Sequence, residues 1–155
     1  MSKCYLTAFG HVELTDDVLD TLYRYRQIKA TSSEAGGQLF ARFDADRMVI
    51  LCATEPTTKS RRGRTFFWPS RRDEQQEIEA LFADGLHYVG DWHSHPESFP
   101  EPSSADIDKI QGIYGNSKHD LNCMMMLIVG TSETAEGIWF GSVSEDGLHP
   151  AKLVE

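Results

Sequence analysis

The spacing of apolar residues along the chain predicts three amphipathic helices. Over residues 16–29, apolar side chains recur three or four positions apart, as they do on the buried face of a helix. A second helix is expected over residues 71–83, because Gly85 suits the left-handed conformation that ends many helices. A third is expected over residues 103–114, where a serine can cap the helix after a loop that contains three prolines.

Short apolar stretches separated by turn-forming residues predict seven strand segments. Two of them flank residues 44–46 and are typical of a β-hairpin, and Glu34 lies just before the first of these two strands. The order of strands and helices predicts a single α/β or α+β domain over residues 1–155, with a mixed sheet flanked by helices. The strand segments are residues 6–14, 38–43, 48–53, 65–68, 86–92, 123–129 and 137–143.

Composition and charge narrow the class of protein. With 155 residues, 40% hydrophobic and 25% charged, the chain lies in the range of ordinary globular proteins. A formal net charge of -9 and a pI of 5.1 argue against a general nucleic-acid binder, because phosphate contacts require clustered Lys and Arg. No stretch approaches the roughly 18 apolar residues of a membrane span, and Cys4, Cys52 and Cys123 form no paired motif. We expect a cytoplasmic protein with no nucleic-acid or membrane partner.

Two histidines follow the strand predicted over residues 86–92. Because His93 and His95 are one residue apart, both rings project from the same face of an extended strand. Such a pair alone is more often structural than catalytic, but Asp106 follows in the first turn of the predicted helix. Two imidazoles and one carboxylate leave one position of a tetrahedral zinc ion open, as in catalytic sites. The sequence therefore predicts one Zn²⁺ with a bound water whose pKa falls toward ~7.

The same residues carry a family resemblance. The chain reads His93-x-His95, then seven residues to Ser103 and two more to Asp106. This pattern resembles the JAMM signature H-x-H-x7-S-x2-D of the JAB/MPN metallopeptidases. Glu34, which is followed by Ala-Gly-Gly, resembles the glutamate that this family places upstream. The resemblance covers most of the chain and fills every position of the signature.

The resemblance implies a fold, a reaction and a role for each residue. The fold is a JAB/MPN-like (cytidine-deaminase-like) domain, and the reaction is hydrolysis of a peptide or isopeptide bond. His93, His95 and Asp106 would bind zinc. Glu34 would act as general base and later as proton donor, and Ser103 would help to stabilise the oxyanion. Ser103 could instead serve only as a helix cap, with Asp106 completing a capping box, and the two roles are compatible.

A longer stretch narrows the resemblance to one branch of the family. Residues 87–97, together with Pro-Ser-Ser at 102–104, resemble the prokaryotic JAMM proteins of type II CBASS antiphage operons. Those proteins work beside an E1/E2-like ligase that joins the C-terminus of a cGAS-like nucleotidyltransferase (CD-NTase) to target amines. The resemblance implies deconjugation, with cleavage after the C-terminal tail of a CD-NTase or a ubiquitin-like protein joined to lysine. Two alternatives stay open: a peptidase that processes a precursor or a sulfur-carrier adduct, and a noncatalytic MPN scaffold.

A basic segment surrounds the aromatic residues of the strand predicted at 65–68. It can be a solvated loop, or it can contact the extended tail of the donor protein, as the resemblance implies. Binding of single-stranded nucleic acid is a third possibility, because basic residues interleaved with aromatic ones also suit that ligand. The basic residues are Lys59, Arg61, Arg62, Arg64, Arg71 and Arg72.

Overall fold

Three helices flank a nine-stranded mixed sheet in the computed structural model, which describes residues 2–116 and 122–154. The strands are β1 (Lys3–Thr7), β2 (Gly10–Leu14), β3 (Gly36–Asp44), β4 (Arg47–Ala53), β5 (Arg61–Gly63), β6 (Phe66–Trp68), β7 (His87–Ser94), β8 (Met124–Val129), β9 (Ile138–Ser144), β10 (Gly147–Pro150) and β11 (Lys152–Leu153). The helices are α1 (Asp16–Arg24), α2 (Arg71–Ala83) and α3 (Ser104–Asn116), with a 3-10 turn at Ala135–Gly137. Within this part of the chain, no helix combines the length and apolar character that a membrane crossing needs.

The order of strands across the sheet is β10-β9-β8-β7-β3-β4-β2-β1-β11, and β5 pairs with β6 in a separate hairpin. The pairs β2–β4 and β7–β8 are parallel, and the remaining neighbours in the sheet are antiparallel. The predicted mixed sheet flanked by helices is therefore confirmed. The predicted hairpin over residues 38–53 is the pair β3–β4, and α2 has the bounds expected from the sequence.

The prediction of a single strand over residues 6–14 is wrong, because β1 and β2 form a hairpin in the structure. The chain turns after Thr7, whose Oγ1 accepts a hydrogen bond from the N–H of Phe9 and donates one to the carbonyl of Gly10. Gly10 has a φ of +117°, which favours glycine at this position. The turn contains no Asn-Gly or Asp-Gly pair, so its signal in the sequence is weak.

The first helix is shorter than expected, since α1 ends at Arg24 and not at residue 29. Beyond it, Gln27 turns inward and is 4% exposed. Its side-chain amide donates to the carbonyl of Ser32 at 3.4 Å and to that of Arg64 at 3.3 Å. A buried amide requires hydrogen-bond partners, and here both partners lie outside the helix.

The strand expected at residues 65–68 is one arm of a second hairpin. β5 and β6 pair through Arg61 with Trp68 and Gly63 with Phe66. β5 was not predicted, because it consists of two arginines and a glycine and has no apolar pattern. A Cβ atom on Gly36 would lie 2.6 Å from the ring of Phe67, so the hairpin packs against the start of β3.

Side chains of β8 alternate between two cores. The larger core includes Val18 and Leu22 of α1, and the smaller one includes Ile110 of α3. β8 contributes Met125, Leu127 and Val129 to the first and Met124 and Met126 to the second. Because both faces of β8 are buried, it anchors the centre of the sheet beside β7, which carries the predicted histidines.

The two edges of the sheet come together at residues 147–154. β10 forms one edge and β11 forms the other, yet only Ala151 separates them along the chain. The N–H of Ala151 donates to the carbonyl of Phe140 in β9, and the N–H of Val154 donates to that of Cys4 in β1, each at 2.9 Å. The sheet is therefore curled so strongly that one short segment connects its edges.

Candidate metal and active site

The paired strands β3 and β7 place the predicted residues side by side. They are antiparallel, and their register pairs Gly36 with His93. Glu34, two residues before β3, therefore reaches the end of β7 that carries the histidines. The backbones are close here, since a Cβ atom on Gly36 would lie 2.9 Å from the carbonyl oxygen of Trp92. The glycine after Glu34-Ala35 allows this approach.

Three donor atoms converge at the end of β7. Nε2 of His93 lies 3.1 Å from Nε2 of His95 and 3.3 Å from Oδ1 of Asp106. Nε2 of His95 lies 3.1 Å from Oδ2 of Asp106. In a tetrahedral zinc site with bonds of about 2.0–2.1 Å, neighbouring ligand atoms are roughly 3.3–3.4 Å apart. Two imidazoles and one carboxylate at this spacing therefore fit zinc in chemistry and in geometry.

Ser103 and Asp106 form a reciprocal cap at the start of α3. The N–H of Ser103 donates to Oδ2 of Asp106 at 2.9 Å, and the N–H of Asp106 donates to Oγ of Ser103 at 3.0 Å. This is the expected capping box, with Asp in the place of Glu. Burial raises the pKa of Asp106, but hydrogen bonds from His93 and His95 outweigh burial and hold the pKa well below its usual range. The carboxylate is therefore ionised and directed at both histidines.

Glu34 lines the same cleft as His93 and Asp106. Its backbone N–H donates to the carbonyl of Gly63 at 2.7 Å, which connects this residue to the hairpin β5–β6. Burial raises the pKa of the Glu34 carboxyl above its ordinary value, and the two nearby histidines limit the rise. A carboxylate with a raised pKa is a stronger proton acceptor near neutral pH, as a general base must be.

A buried serine between the two histidines connects their strand to the neighbour of Glu34. Ser94 is fully buried, and its Oγ accepts from the N–H of Ala35 at 2.9 Å and donates to Oε1 of Gln27 at 2.8 Å. The sequence interpretation missed both Ser94 and Gln27. The available signal was strand alternation, which directs the serine away from the two imidazoles and into the core, where a hydroxyl requires partners.

The cleft beside these residues has a volume of about 480 Å³. Phe66 and Trp68 of the hairpin line one part of it, and Glu74 and Asp91 line another. Burial and the nearby Asp91 carboxylate raise the pKa of Glu74 to about 7. Burial also raises the pKa of Asp91, which accepts a hydrogen bond of 2.8 Å from the hydroxyl of Tyr88. The cleft therefore joins an aromatic wall to a partly buried acidic pair.

Most of the predicted basic cluster does not line this cleft. Of its six residues, Arg71 is the one that lines it. Arg61 lies over the ring of Trp68 at 5.9 Å, and Arg62 lies over the ring of Tyr25 at 5.6 Å. The hairpin therefore lines the cleft with its aromatic side chains, and Arg61, Arg62 and Arg64 are not among the lining residues.

Comparisons with known proteins identify the family. Prokaryotic homologs of the JAB domain match residues 16–140. A CD-NTase/cGAS isopeptidase of Escherichia coli (strain TW11681) is 34% identical over 147 residues, which cover 92% of this chain and 88% of that protein. A CD-NTase/cGAS isopeptidase of Enterobacter hormaechei is 34% identical over 130 residues, covering 83% and 72% of the two chains. A probable metalloprotease of Sinorhizobium fredii is 28% identical and covers 74% of each chain.

A solved structure shares the fold. The solution structure of a protein from Desulfitobacterium hafniense matches with a TM-score of 0.61 at 18% identity, covering 91% of this chain and 90% of that one. The family implies a metal, which agrees with the cluster of His93, His95 and Asp106. The chain belongs to the prokaryotic homologs of the JAB domain and is a hydrolase of the JAMM type.

Proposed function

We propose that this chain is a zinc-dependent isopeptidase that removes a CD-NTase, or a ubiquitin-like protein, from the lysine to which its C-terminus is joined. The convergence of His93, His95 and Asp106 carries this proposal. The relatives from Escherichia coli and Enterobacter hormaechei are named CD-NTase/cGAS isopeptidases, which supports the same substrate class here.

His93, His95 and Asp106 would hold the zinc ion and leave one of its positions open. When bound, zinc supplies Lewis acidity, which lowers the pKa of a water molecule toward ~7 and polarises the scissile carbonyl. The reciprocal cap with Ser103 fixes the Asp106 carboxylate toward the histidines. These contacts hold the ligand atoms in place before a substrate arrives.

Glu34 would transfer the proton. Its place in the cleft and its raised pKa suit a group that accepts a proton from the attacking water and delivers it to the lysine nitrogen. The water oxygen first bonds to the carbonyl carbon, and the C–N bond of the amide breaks when the resulting tetrahedral intermediate collapses. The proton carried by Glu34 completes the departing amine. The second water proton is released as the new carboxyl group ionises and leaves the lysine amine protonated, so the products are an ammonium group and a carboxylate at the donor C-terminus.

Ser103 would stabilise the negative charge that develops on the carbonyl oxygen. Its Oγ uses a lone pair to accept the N–H of Asp106 at 3.0 Å. Its hydroxyl hydrogen can therefore donate to a substrate oxygen while the cap stays intact. Capping and catalysis are compatible roles of this side chain.

The hairpin β5–β6 would bind the extended tail of the donor. Trp68 lines the cleft and is 58% exposed, so it offers a large apolar surface. We expect Trp68→Ala to raise KM about tenfold, since buried tryptophan contacts are among the strongest in interfaces. Charge reversal at Arg61 and Arg64 is expected to raise KM less and to leave zinc content unchanged. Arg72→Glu, outside the cleft, is the control, and wild-type KM values in the Trp68 variant would contradict this role.

Several expectations from the sequence remain predictions. We propose that residues 1–155 form one JAB/MPN domain, because β1 and β11, which are far apart along the chain, pair in the same sheet. An E1/E2-like ligase as functional partner, a cytoplasmic location and the absence of nucleic-acid and membrane partners rest on the sequence and on the resemblance described above.

The proposal is tested with two peptide substrates that contain the C-terminal residues of a CD-NTase. In one, the tail is joined through an isopeptide bond to the Nε of lysine, and in the other through a peptide bond to an α-amine. Cleavage by the wild-type protein is measured by mass spectrometry, then again after chelation and after zinc is restored. Glu34→Gln is expected to retain zinc and to lower kcat about 10²–10⁴-fold. Glu79→Gln, an exposed residue of α2, is the matched control and is expected to cleave normally.

The outcomes separate the alternatives. Cleavage of the isopeptide that stops on chelation and returns with zinc is the expected result. Cleavage of the linear peptide alone would favour the processing of a precursor. Full activity after removal of all metal would contradict zinc chemistry, and zinc-loaded protein that cleaves neither peptide would contradict this class of donor.

A further inference from the structure

A carboxylate outside the proposed metal site contacts the far side of one of its ligands. Oε1 of Glu97 lies 2.8 Å from Nδ1 of His95, while Nε2 of the same ring faces Asp106 at 3.1 Å. A carboxylate oxygen accepts hydrogen bonds, so this contact assigns the ring hydrogen to Nδ1. The lone pair of the neutral ring is then on Nε2, the atom that faces the other ligands.

The backbone around Glu97 is fixed by a continuation of the sheet. The parallel pairing of β7 with β8 ends at Ser94 and Val129. Beyond it, the N–H of His95 donates to the carbonyl of Val129 at 3.0 Å, and the N–H of Thr131 donates to the carbonyl of Glu97 at 2.8 Å. His95 is therefore tied to the last residue of β8 and Glu97 to the segment that follows it, which sets the distance between their side chains.

Gly130 makes this arrangement possible. A Cβ atom at this position would lie 2.3 Å from the carbonyl oxygen of Glu97 and 2.6 Å from Cδ of Pro100. A side chain here would push the Glu97 loop away from β8. The loop after the histidines is thus packed closely on the sheet, although the Glu97 side chain itself is 57% exposed.

His93, the other histidine of the proposed site, has different surroundings. Among residues 2–116 and 122–154, no carboxylate lies within hydrogen-bonding distance of its Nδ1, and it contacts His95 and Asp106 through Nε2. The two imidazoles therefore differ: His95 is held from both nitrogens, and His93 from one. A substitution at Glu97 is expected to disturb one ligand without touching the other two.

We propose that Glu97 is a positioning residue that holds His95 in the tautomer and orientation required for binding zinc. This inference rests on the proposed metal site. Partners of this kind typically change metal affinity by about 10–100-fold. Because the Glu97 carboxylate is more than half exposed, we expect an effect near the lower limit, about tenfold.

The test measures metal binding directly. Zinc affinity is determined by competition with a chromophoric chelator, and the visible absorption of bound Co²⁺ reports the geometry of the ligands. Glu97→Ala is expected to weaken zinc binding about tenfold and to shift the Co²⁺ spectrum. Glu97→Gln retains an oxygen that can accept from Nδ1, so it is expected to weaken binding by less. Glu101→Gln removes an exposed carboxylate from the same loop and is expected to match the wild type.

Each outcome decides the inference. Wild-type affinity and an unchanged Co²⁺ spectrum in Glu97→Ala would overturn it and leave the metal site in place. Equal weakening in Glu97→Gln and Glu101→Gln would overturn it in favour of a general charge effect. A wild-type protein that binds neither metal would overturn the site and this inference together.

Discussion

Strand β7 has a histidine near each end, and the two ends differ in what surrounds them. His87, the first residue of β7, is exposed and packs between the rings of Phe43 and Phe82, each at 5.6 Å. At the other end, His93 meets donor atoms of His95 and Asp106. Both histidines belong to the same strand, so the strand alone does not explain the difference. His93 is a candidate ligand because a separate element, the start of α3, brings a carboxylate to it.

The largest difference between the two ends should appear when each histidine is removed in turn. His93→Ala is expected to abolish stoichiometric zinc binding and to lower kcat/KM at least about 10³-fold, since several kcal/mol of transition-state stabilisation are lost. His87→Ala is expected to leave both unchanged. Zinc content by atomic absorption and cleavage of the isopeptide substrate measure the two effects. Zinc retained in the His93 variant would contradict the proposed ligand set.

A smaller effect should distinguish the buried hydrogen bonds of Ser94, beside His93, from the surface packing of Phe82 on His87. Ser94→Ala removes the partner of the N–H of Ala35 and of Oε1 of Gln27. It is expected to lower the free energy of unfolding by about 1–3 kcal/mol. Phe82→Ala, which changes a side chain that is 64% exposed, is expected to cost less than about 1 kcal/mol. Urea unfolding of both variants checks this, and equal costs would contradict the role of the Ser94 network.

The last effect, no larger than that of Ser94→Ala, concerns the acidic pair in the cleft. The folded-state pKa of Glu74, about 7, exceeds its ordinary value of 4.5, so the folded chain binds more protons between these pH values. Its contribution to stability is therefore present at low pH and is lost as the pH rises through about 7. Relative to the wild type, Glu74→Gln should gain roughly 1–3 kcal/mol of unfolding free energy between pH 5 and pH 8.

This measurement is made on metal-free protein, so that proton release by the metal ligands does not contribute. Glu79→Gln, an exposed residue on the same helix, should show the same small change in unfolding free energy at both pH values. A pH-independent difference between Glu74→Gln and the wild type would contradict the raised pKa.

The sequence predicted the parts of the site that depend on local spacing. His93 and His95 share a strand face, and Asp106 lies in the first turn of α3, so their proximity follows from the pattern. Glu34 is different, because its proximity depends on the pairing of Gly36 with His93 across two strands. No local pattern contains that register, and the family resemblance supplied it.

The errors in the fold have a similar cause. The hairpin β1–β2 turns on the side chain of Thr7 and on Gly10, not on a strong turn pair. The early end of α1 reflects the burial of Gln27, whose partners come from Ser32 and Arg64. Glu97 went unassigned because its contact with His95 needs the backbone segment after β8. Each of these features depends on contacts between distant segments, which apolar periodicity does not record.

The segment that joins the two edges of the sheet also has a consequence for the order of folding. Tyr5 pairs with Leu153, so closing this contact alone spans 148 residues of chain (153 minus 5). Loop closure of that length costs roughly 4 kcal/mol of chain entropy, and such contacts tend to form late. The strands β3, β7 and β8, with the donor atoms they position, lie between these ends in the chain and in the centre of the sheet. The proposed metal site can therefore assemble before the sheet curls shut around it.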